Sequence, residues 1–251
     1  MTIHNAQVQY LVERELEKIE ALEQERQLRR KARWNKAKLA LGAVFAAFLM
    51  GCGEPANQSR AAFILVDISG DYAGELNKAR TLSNYLLANL NSGDSLAVGF
   101  IDNSSFTERN VIAQATFDHR PSVTNQQKRE FQASLDAFLQ RFSVPSHHSD
   151  ITGGVLLATD YLSEVDAGHK YLFLLSDLHE DLPPWLNRDV SMNLNNVQVV
   201  AVNVKRQRSD NNDPAAYQRR LTDWQERIEA GGGHWQMVND LARLENAVVL
   251  R

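Results

Sequence analysis

Three short stretches of this 251-residue chain carry oxygen-bearing side chains in positions where chemistry could be done. The first is Asp67-Ile68-Ser69-Gly70-Asp71, which directly follows an apolar run. The second is Ser176-Asp177, again after an apolar run and followed by His179, Glu180 and Asp181. The third is Ser146-His147-His148-Ser149-Asp150-Ile151-Thr152-Gly153-Gly154, which leads into a helical pattern. Two aspartates and several hydroxyls are hard donors, suited to Mg²⁺ or Mn²⁺ rather than to a softer metal. The adjacent His147 and His148 read as exposed loop residues rather than transition-metal ligands, and His179 as a residue of the site's rim.

These stretches need elements to position them, and the apolar pattern supplies those elements. Residues 61–66 (Ala-Ala-Phe-Ile-Leu-Val) form a continuous apolar run, expected of a strand buried on both faces. Residues 171–175 and 197–202 read the same way. Residues 95–101 and, with more exposure, 111–117 are two further strands, and 234–238 are read as a last one. Between them, helical spacing appears in Leu76/Ala79/Leu82/Leu86/Leu90, over residues 126–142, over 151–163, and in Tyr217/Leu221/Trp224/Ile228. Gly231, Gly232 and Gly233 stop that last helix, and a closing helix is expected from about Asp240. Repeated strand–helix units with doubly buried strands predict a three-layer α/β domain with a mostly parallel central sheet flanked by helices. Ligands of such sheets collect outside the carboxyl ends of the strands, where Asp67 and Asp177 are expected.

With those residues in place, the chain resembles the von Willebrand factor A (VWA) family over residues 60–250. That family's metal-ion-dependent adhesion site combines Asp-x-Ser-x-Ser after the first strand, a Thr in a later loop and an Asp after the fourth strand. Asp67, Ser69 and Asp177 match, while Asp71 stands where the second Ser is expected. The loop hydroxyl is either Ser149, the preferred candidate, or Thr152. The resemblance implies a divalent-cation site, Mg²⁺ (or Mn²⁺ or Ca²⁺), that accepts a carboxylate from a protein partner. Asp71 changes that expectation: a third carboxylate either neutralises the ion and favours Ca²⁺, or turns away to cap the following helix.

The first fifty residues differ in kind. Residues 39–53 hold no charged side chain and follow Arg29, Arg30, Lys31, Arg33, Lys36 and Lys38. Basic residues before an apolar run predict a membrane segment with the remainder of the chain on the extracytoplasmic side. Fifteen helical residues reach roughly 22 Å, short of the ~30 Å hydrocarbon core. The run ends in Leu49-Met50-Gly51-Cys52, which resembles a bacterial lipoprotein lipobox and makes Cys52 the candidate lipid anchor. A short signal-anchor helix is the alternative. The expected organisation is a charged leader over residues 1–38, partly helical, then a membrane segment or signal h-region over 39–53, a linker over 54–60 and the VWA-like domain over 61–251.

Composition supports the same division. The formal charge of −4 splits into +3 over residues 1–52 and −7 over 53–251, which argues against nucleic-acid binding. One Cys excludes a disulfide framework and any Cys-rich metal site. No nucleophile–base pair or phosphate-cradling Gly loop stands out, so no catalytic residue is assigned and the chain is not expected to be an enzyme. A haloacid-dehalogenase-like phosphohydrolase is a weaker alternative, because Ser69 stands where the general acid belongs and Lys170 begins its strand. The expected function is a membrane-tethered protein-binding module, probed against a metal-free assembly component on the same fold. Lys205-Arg206-Gln207-Arg208 reads as a solvated basic loop, and Trp185 as either an exposed anchor or a core residue.

Overall fold

The computed structural model describes residues 57–239. The expected leader, the expected membrane segment with Cys52, the start of the expected linker and the closing helix expected from Asp240 lie outside the described residues. Six strands form one sheet: β1 (Arg60–Asp67), β2 (Ser95–Ile101), β3 (Val111–Thr116), β4 (His169–Leu175), β5 (Gln198–Val202) and β6 (His234–Val238). Their order is β3-β2-β1-β4-β5-β6. β1 runs parallel to β2 and β4, and β4, β5 and β6 continue parallel. Only the edge strand β3 is antiparallel, joined to β2 by a short connection with a register shift at Val98/Gly99. The α/β architecture expected from the sequence is the one observed.

The two-residue period of β1 divides the core. Ala62, Ile64 and Val66 belong to the cluster under helices α1 (Leu76–Asn89) and α2 (Pro121–Arg141). Ala61, Phe63 and Leu65 belong to the cluster under α3 (Ile151–Glu164) and α4 (Pro214–Ala230). Every residue of β1 is buried, which explains why the strand reads as an unbroken apolar run. Full burial of each large side chain contributes about 1.5–3 kcal/mol, so this strand anchors both layers.

Helix α2 begins five residues before the expected start. Pro121 sits in its first turn, where a fixed φ and a missing N–H cost nothing. The Thr124 hydroxyl donates to the Asp118 carbonyl and Gln127 Oε1 accepts from the Asp118 amide at 2.9 Å. These polar bonds, rather than an apolar stripe, set that end. Lys128 of α2 donates to the Leu87 and Leu90 carbonyls at 2.6 and 2.7 Å, satisfying the carboxyl end of α1.

α3 packs closely on the sheet because two glycines open it. A Cβ on Gly154 would lie 2.9 Å from Leu65 Cδ2, and one on Gly153 would lie 2.2 Å from Asp150 Oδ2. The second of these contacts matters for the site, since Asp150 is the N-cap of α3.

Candidate functional site

β1 and β4 are neighbours, and the chain leaves their carboxyl ends toward opposite halves of the sheet. That switch point opens a crevice at the sheet's carboxyl edge. Asp67 ends β1 and is fully buried. Its Oδ1 accepts the Ser69 amide at 2.9 Å. Its Oδ2 accepts the Ser149 and Ser176 hydroxyls at 2.9 and 2.8 Å. Burial pushes the Asp67 carboxyl above its usual range, against the lowering effect of bonds from Ser69 and Ser176; the charge of Asp177 adds to the rise.

The loop before α3 reaches Asp67 by adding itself to the sheet edge. Ser146 bridges Ser69 in parallel, with Ser146 N–H donating to Ile68 O at 2.9 Å and Gly70 N–H to Ser146 O at 3.3 Å. Ser149 bridges Asp181 in antiparallel fashion through bonds of 2.9 and 3.1 Å. These backbone pairings set the Ser149 hydroxyl on Asp67.

Asp150 then holds the loop to three other segments. Its Oδ1 accepts Gly153 N–H and Arg188 Nε, both at 2.9 Å. Its Oδ2 accepts Ser105 N–H and Arg188 Nη2, both at 2.7 Å. Asp150 is fully buried and Arg188 nearly so, and a bidentate guanidinium is the geometry such a carboxylate needs.

Asp177 follows β4 by two residues and is half-buried. Its Oδ1 accepts His179 N–H at 2.9 Å and its Oδ2 accepts Gln207 Nε2 at 3.0 Å. Its carbonyl accepts Arg220 Nε at 3.0 Å. Leu178 turns the chain here with φ 63, in the left-handed region where a branched side chain is strained. Three contacts hold it there: a buried side chain, an N–H given to Ser176 Oγ at 2.9 Å and a carbonyl taken by Trp224 Nε1 at 3.0 Å.

Asp177, Ser69 and Ser149 thus line one cleft of about 520 Å³, with Asp67 buried beneath Ser149. Tyr72, His147, His179, Asp181 and residues 205–209 complete its walls. His148 stands beside it, its Nδ1 2.9 Å from Asp181 Oδ2. Thr152 is not brought to this cluster. Its hydroxyl accepts from Arg227 Nη2 at 2.6 Å and its amide donates to Glu180 Oε1 at 2.6 Å, so it serves the start of α3. Of the two loop hydroxyls, Ser149 is therefore the one at Asp67. Asp71 lies in the 3-10 turn Gly70–Glu75, and its side chain is outside the described residues.

Ser176, quoted as the neighbour of Asp177 but not as a site residue, and Gln207, read as part of a solvated loop, each bond one of the two aspartates. Ser176 carried a signal, a hydroxyl at the end of an apolar strand; Gln207, thirty residues from Asp177, carried none. Trp185 is 69% exposed, which decides between its two readings. Lys170 lies in the first turn of the strand opposite Ala61, at the end of the sheet away from Asp67, where it cannot neutralise a phosphate bound at Asp67.

Ser69, Ser149 and Asp177 line the cleft and Asp67 lies behind Ser149; carboxylates and hydroxyls are donors of the kind a hard divalent cation takes. Among the described residues no group of three or more His, Cys, Asp or Glu side chains converges. Also among the described residues, no helix is long and apolar enough to cross a membrane.

In sequence the chain matches no family model, and no curated protein matches it. Solved structures give likenesses of fold. A von Willebrand factor type A protein from Catenulispora acidiphila is 10% identical with a TM-score of 0.45, covering 75% of this chain and 41% of that one. BatB from Bacteroides thetaiotaomicron is 14% identical with a TM-score of 0.44, covering 75% and 94%. Proximal thread matrix protein 1 from the mussel byssus, in a structure with a zinc-occupied MIDAS motif, is 10% identical with a TM-score of 0.43, covering 78% and 46%. The chain thus spans less than half the length of the first of these.

Proposed function

We propose that residues 57–239 form a protein-interaction module whose cleft holds a divalent cation at Asp67, Ser69, Ser149 and Asp177 and engages an acidic partner there. The observation that carries the reading is Asp67: a buried carboxylate that meets only neutral donors, Ser69, Ser149 and Ser176, directly behind the cleft wall formed by Ser69 and Ser149. A buried carboxylate without a cationic partner is costly, and a cation in the cleft offsets that cost. When bound, the ion supplies an electropositive centre for a partner's carboxylate. The chain's own part is positional: Ser69 and Ser149 are fixed by backbone pairing, and Asp177 is fixed by Gln207 and the His179 amide.

The basic run before the uncharged residues 39–53 and the lipobox-like end Leu49-Met50-Gly51-Cys52 support a tethered form of this module on the extracytoplasmic side of a membrane, through Cys52 or a signal-anchor helix. The tether joins at residues 57–60, where Asn57 and Ser59 bond Asp166, at the amino end of β1. The cleft lies at the other end of that strand, about 23 Å away along it. Intact mass of the membrane fraction tests the anchor: a chain cut before Cys52 and carrying acyl mass is expected, and a full-length unlipidated chain rules the lipid anchor out.

Hydrogen exchange of the full chain with and without Mg²⁺ or Mn²⁺ tests the cleft. At a hundredfold excess over Kd the ion stabilises the folded state by about 2.7 kcal/mol. Slower exchange is expected in residues 67–70, 146–150 and 176–181 first. Unchanged exchange in those three segments with both ions contradicts the reading.

A further inference from the structure

The basic stretch after β5 forms one wall of the cleft rather than a free loop. Two anchors make that wall rigid. On one side Asn203, in the left-handed region at φ 54, gives its amide to Val238 O at 2.8 Å. On the other, Gln207 and Asp210 close a capping box, and Arg220 grips Asp210 through bonds of 3.1 and 2.9 Å. Gln207, fixed in that box, reaches across to Asp177.

The cations on the wall differ in their engagement. Lys205 pairs with Glu75. Burial pushes the Glu75 carboxyl up, but hydrogen bonds from Lys205 and Lys78 hold it below its usual range. Arg206 is exposed and spreads its guanidinium over the Tyr217 ring, 4.9 Å from the centroid. Tyr217 is itself steadied by a 3.4 Å bond to Val204 O. Stacking uses the guanidinium's face and leaves its N–H edge for a planar anion. Hydrogen bonds from Arg220 hold the Asp210 carboxyl below its usual range and the charge of Arg206 helps, but Asp210 gives its oxygens to Arg220 and the Gln207 amide.

We propose that Arg206 is a second carboxylate subsite, so that the cleft recognises a peptide segment bearing two acidic side chains, one at the oxygen-lined floor and one on Arg206. The proposal rests on the protein-binding reading above and extends it to the partner's chemistry. The cleft's volume suits a short peptide segment. Lys205 is already paired with Glu75 and the floor side carries Asp177 and Asp181, so the attraction for an anionic group is local, at the guanidinium edge of Arg206.

The test uses the full-length chain in detergent micelles and two fluorescein-labelled peptides, Gly-Ser-Asp-Gly-Ser-Gly and Gly-Ser-Asp-Gly-Glu-Gly. Anisotropy is read in Mg²⁺ and in EDTA for the wild type, Arg206→Gln, Arg206→Lys and Asp177→Ala. A bidentate charged contact predicts that the wild type binds the two-acid peptide about tenfold more tightly than the one-acid peptide. Arg206→Gln is expected to erase that advantage, and an unchanged midpoint of urea unfolding shows the variant to be folded. Arg206→Lys is expected to restore part of it. Equal affinity of both peptides for the wild type, or an advantage unaltered in Arg206→Gln, overturns the proposal. Arg206-dependent binding of phosphatidylglycerol vesicles that displaces the two-acid peptide also overturns it, by assigning the subsite to a lipid phosphate. Two-acid binding that needs Arg206 but persists in EDTA and in Asp177→Ala upholds the subsite while removing the cation from the account.

Discussion

Arg188→Met is the perturbation that most sharply tests how the Ser149 loop is held. The substitution keeps an unbranched apolar stem and removes the guanidinium that donates twice to Asp150, at 2.9 and 2.7 Å. Asp150 is fully buried, so it is left as a charge with only the Ser105 and Gly153 amides for company. Breaking one side of a buried pair costs about 3–5 kcal/mol. For a domain of this size each kcal/mol moves Tm by about 2–4 °C, so a fall of roughly 6–20 °C is expected. Urea unfolding of the full chain, followed by tryptophan fluorescence, should show a lower midpoint with unchanged slope. Adding Asp150→Asn removes the stranded charge and should recover at least half of the loss. A loss below about 1 kcal/mol in Arg188→Met, the size of an exposed pair, would refute the claim that this bond anchors the loop.

Two further outcomes follow from the same geometry. Burial raises the Asp67 carboxyl above its usual range, so in the absence of cation the folded protein holds this proton more firmly than the unfolded chain. Stability then falls as pH rises from about 4, the ordinary carboxylate value, through the folded pKa. Asp67→Asn, which cannot ionise, should flatten that fall in urea titrations run across pH, and a slope unchanged by the substitution would contradict the assignment to Asp67. Gly153→Ala places a Cβ 2.2 Å from Asp150 Oδ2 and must displace the capping carboxylate. The cost should be on the order of 2 kcal/mol or more by chemical unfolding, and a neutral result would show that the cap can rearrange.

The central strands were legible because residues 61–66 of β1, 172–175 of β4 and 199–202 of β5 are covered on both faces, so no polar residue interrupts those runs. The start of α2 was not, since its first turns are ordered by Asp118, Thr124 and Gln127 rather than by apolar contacts. At the site, Asp67 and Asp177 stood out as polar residues just beyond apolar runs. Ser149 and Thr152 could not be separated by spacing alone, because both flank the N-cap Asp150. Only the pairing of Ser149 with Asp181, and the claim of Arg227 on Thr152, separates their roles. The basic stretch at 205–208 looked like a solvated loop for a similar reason: its contacts with Asp177, Glu75 and Tyr217 join residues far apart in the chain.

The proposed cation site lies in the cleft at the ends of β1 and β4 and uses Asp67, Ser69, Ser149 and Asp177. Isothermal calorimetry of the full chain with Mg²⁺, Mn²⁺ and Ca²⁺ measures this most directly. Saturable binding of at least one ion near one per chain is expected, abolished by Asp177→Ala, weakened by Ser149→Ala and unaffected by Thr152→Val, which removes the hydroxyl held by Arg227. Absence of binding by all three ions, or binding that survives Asp177→Ala unchanged, would contradict it.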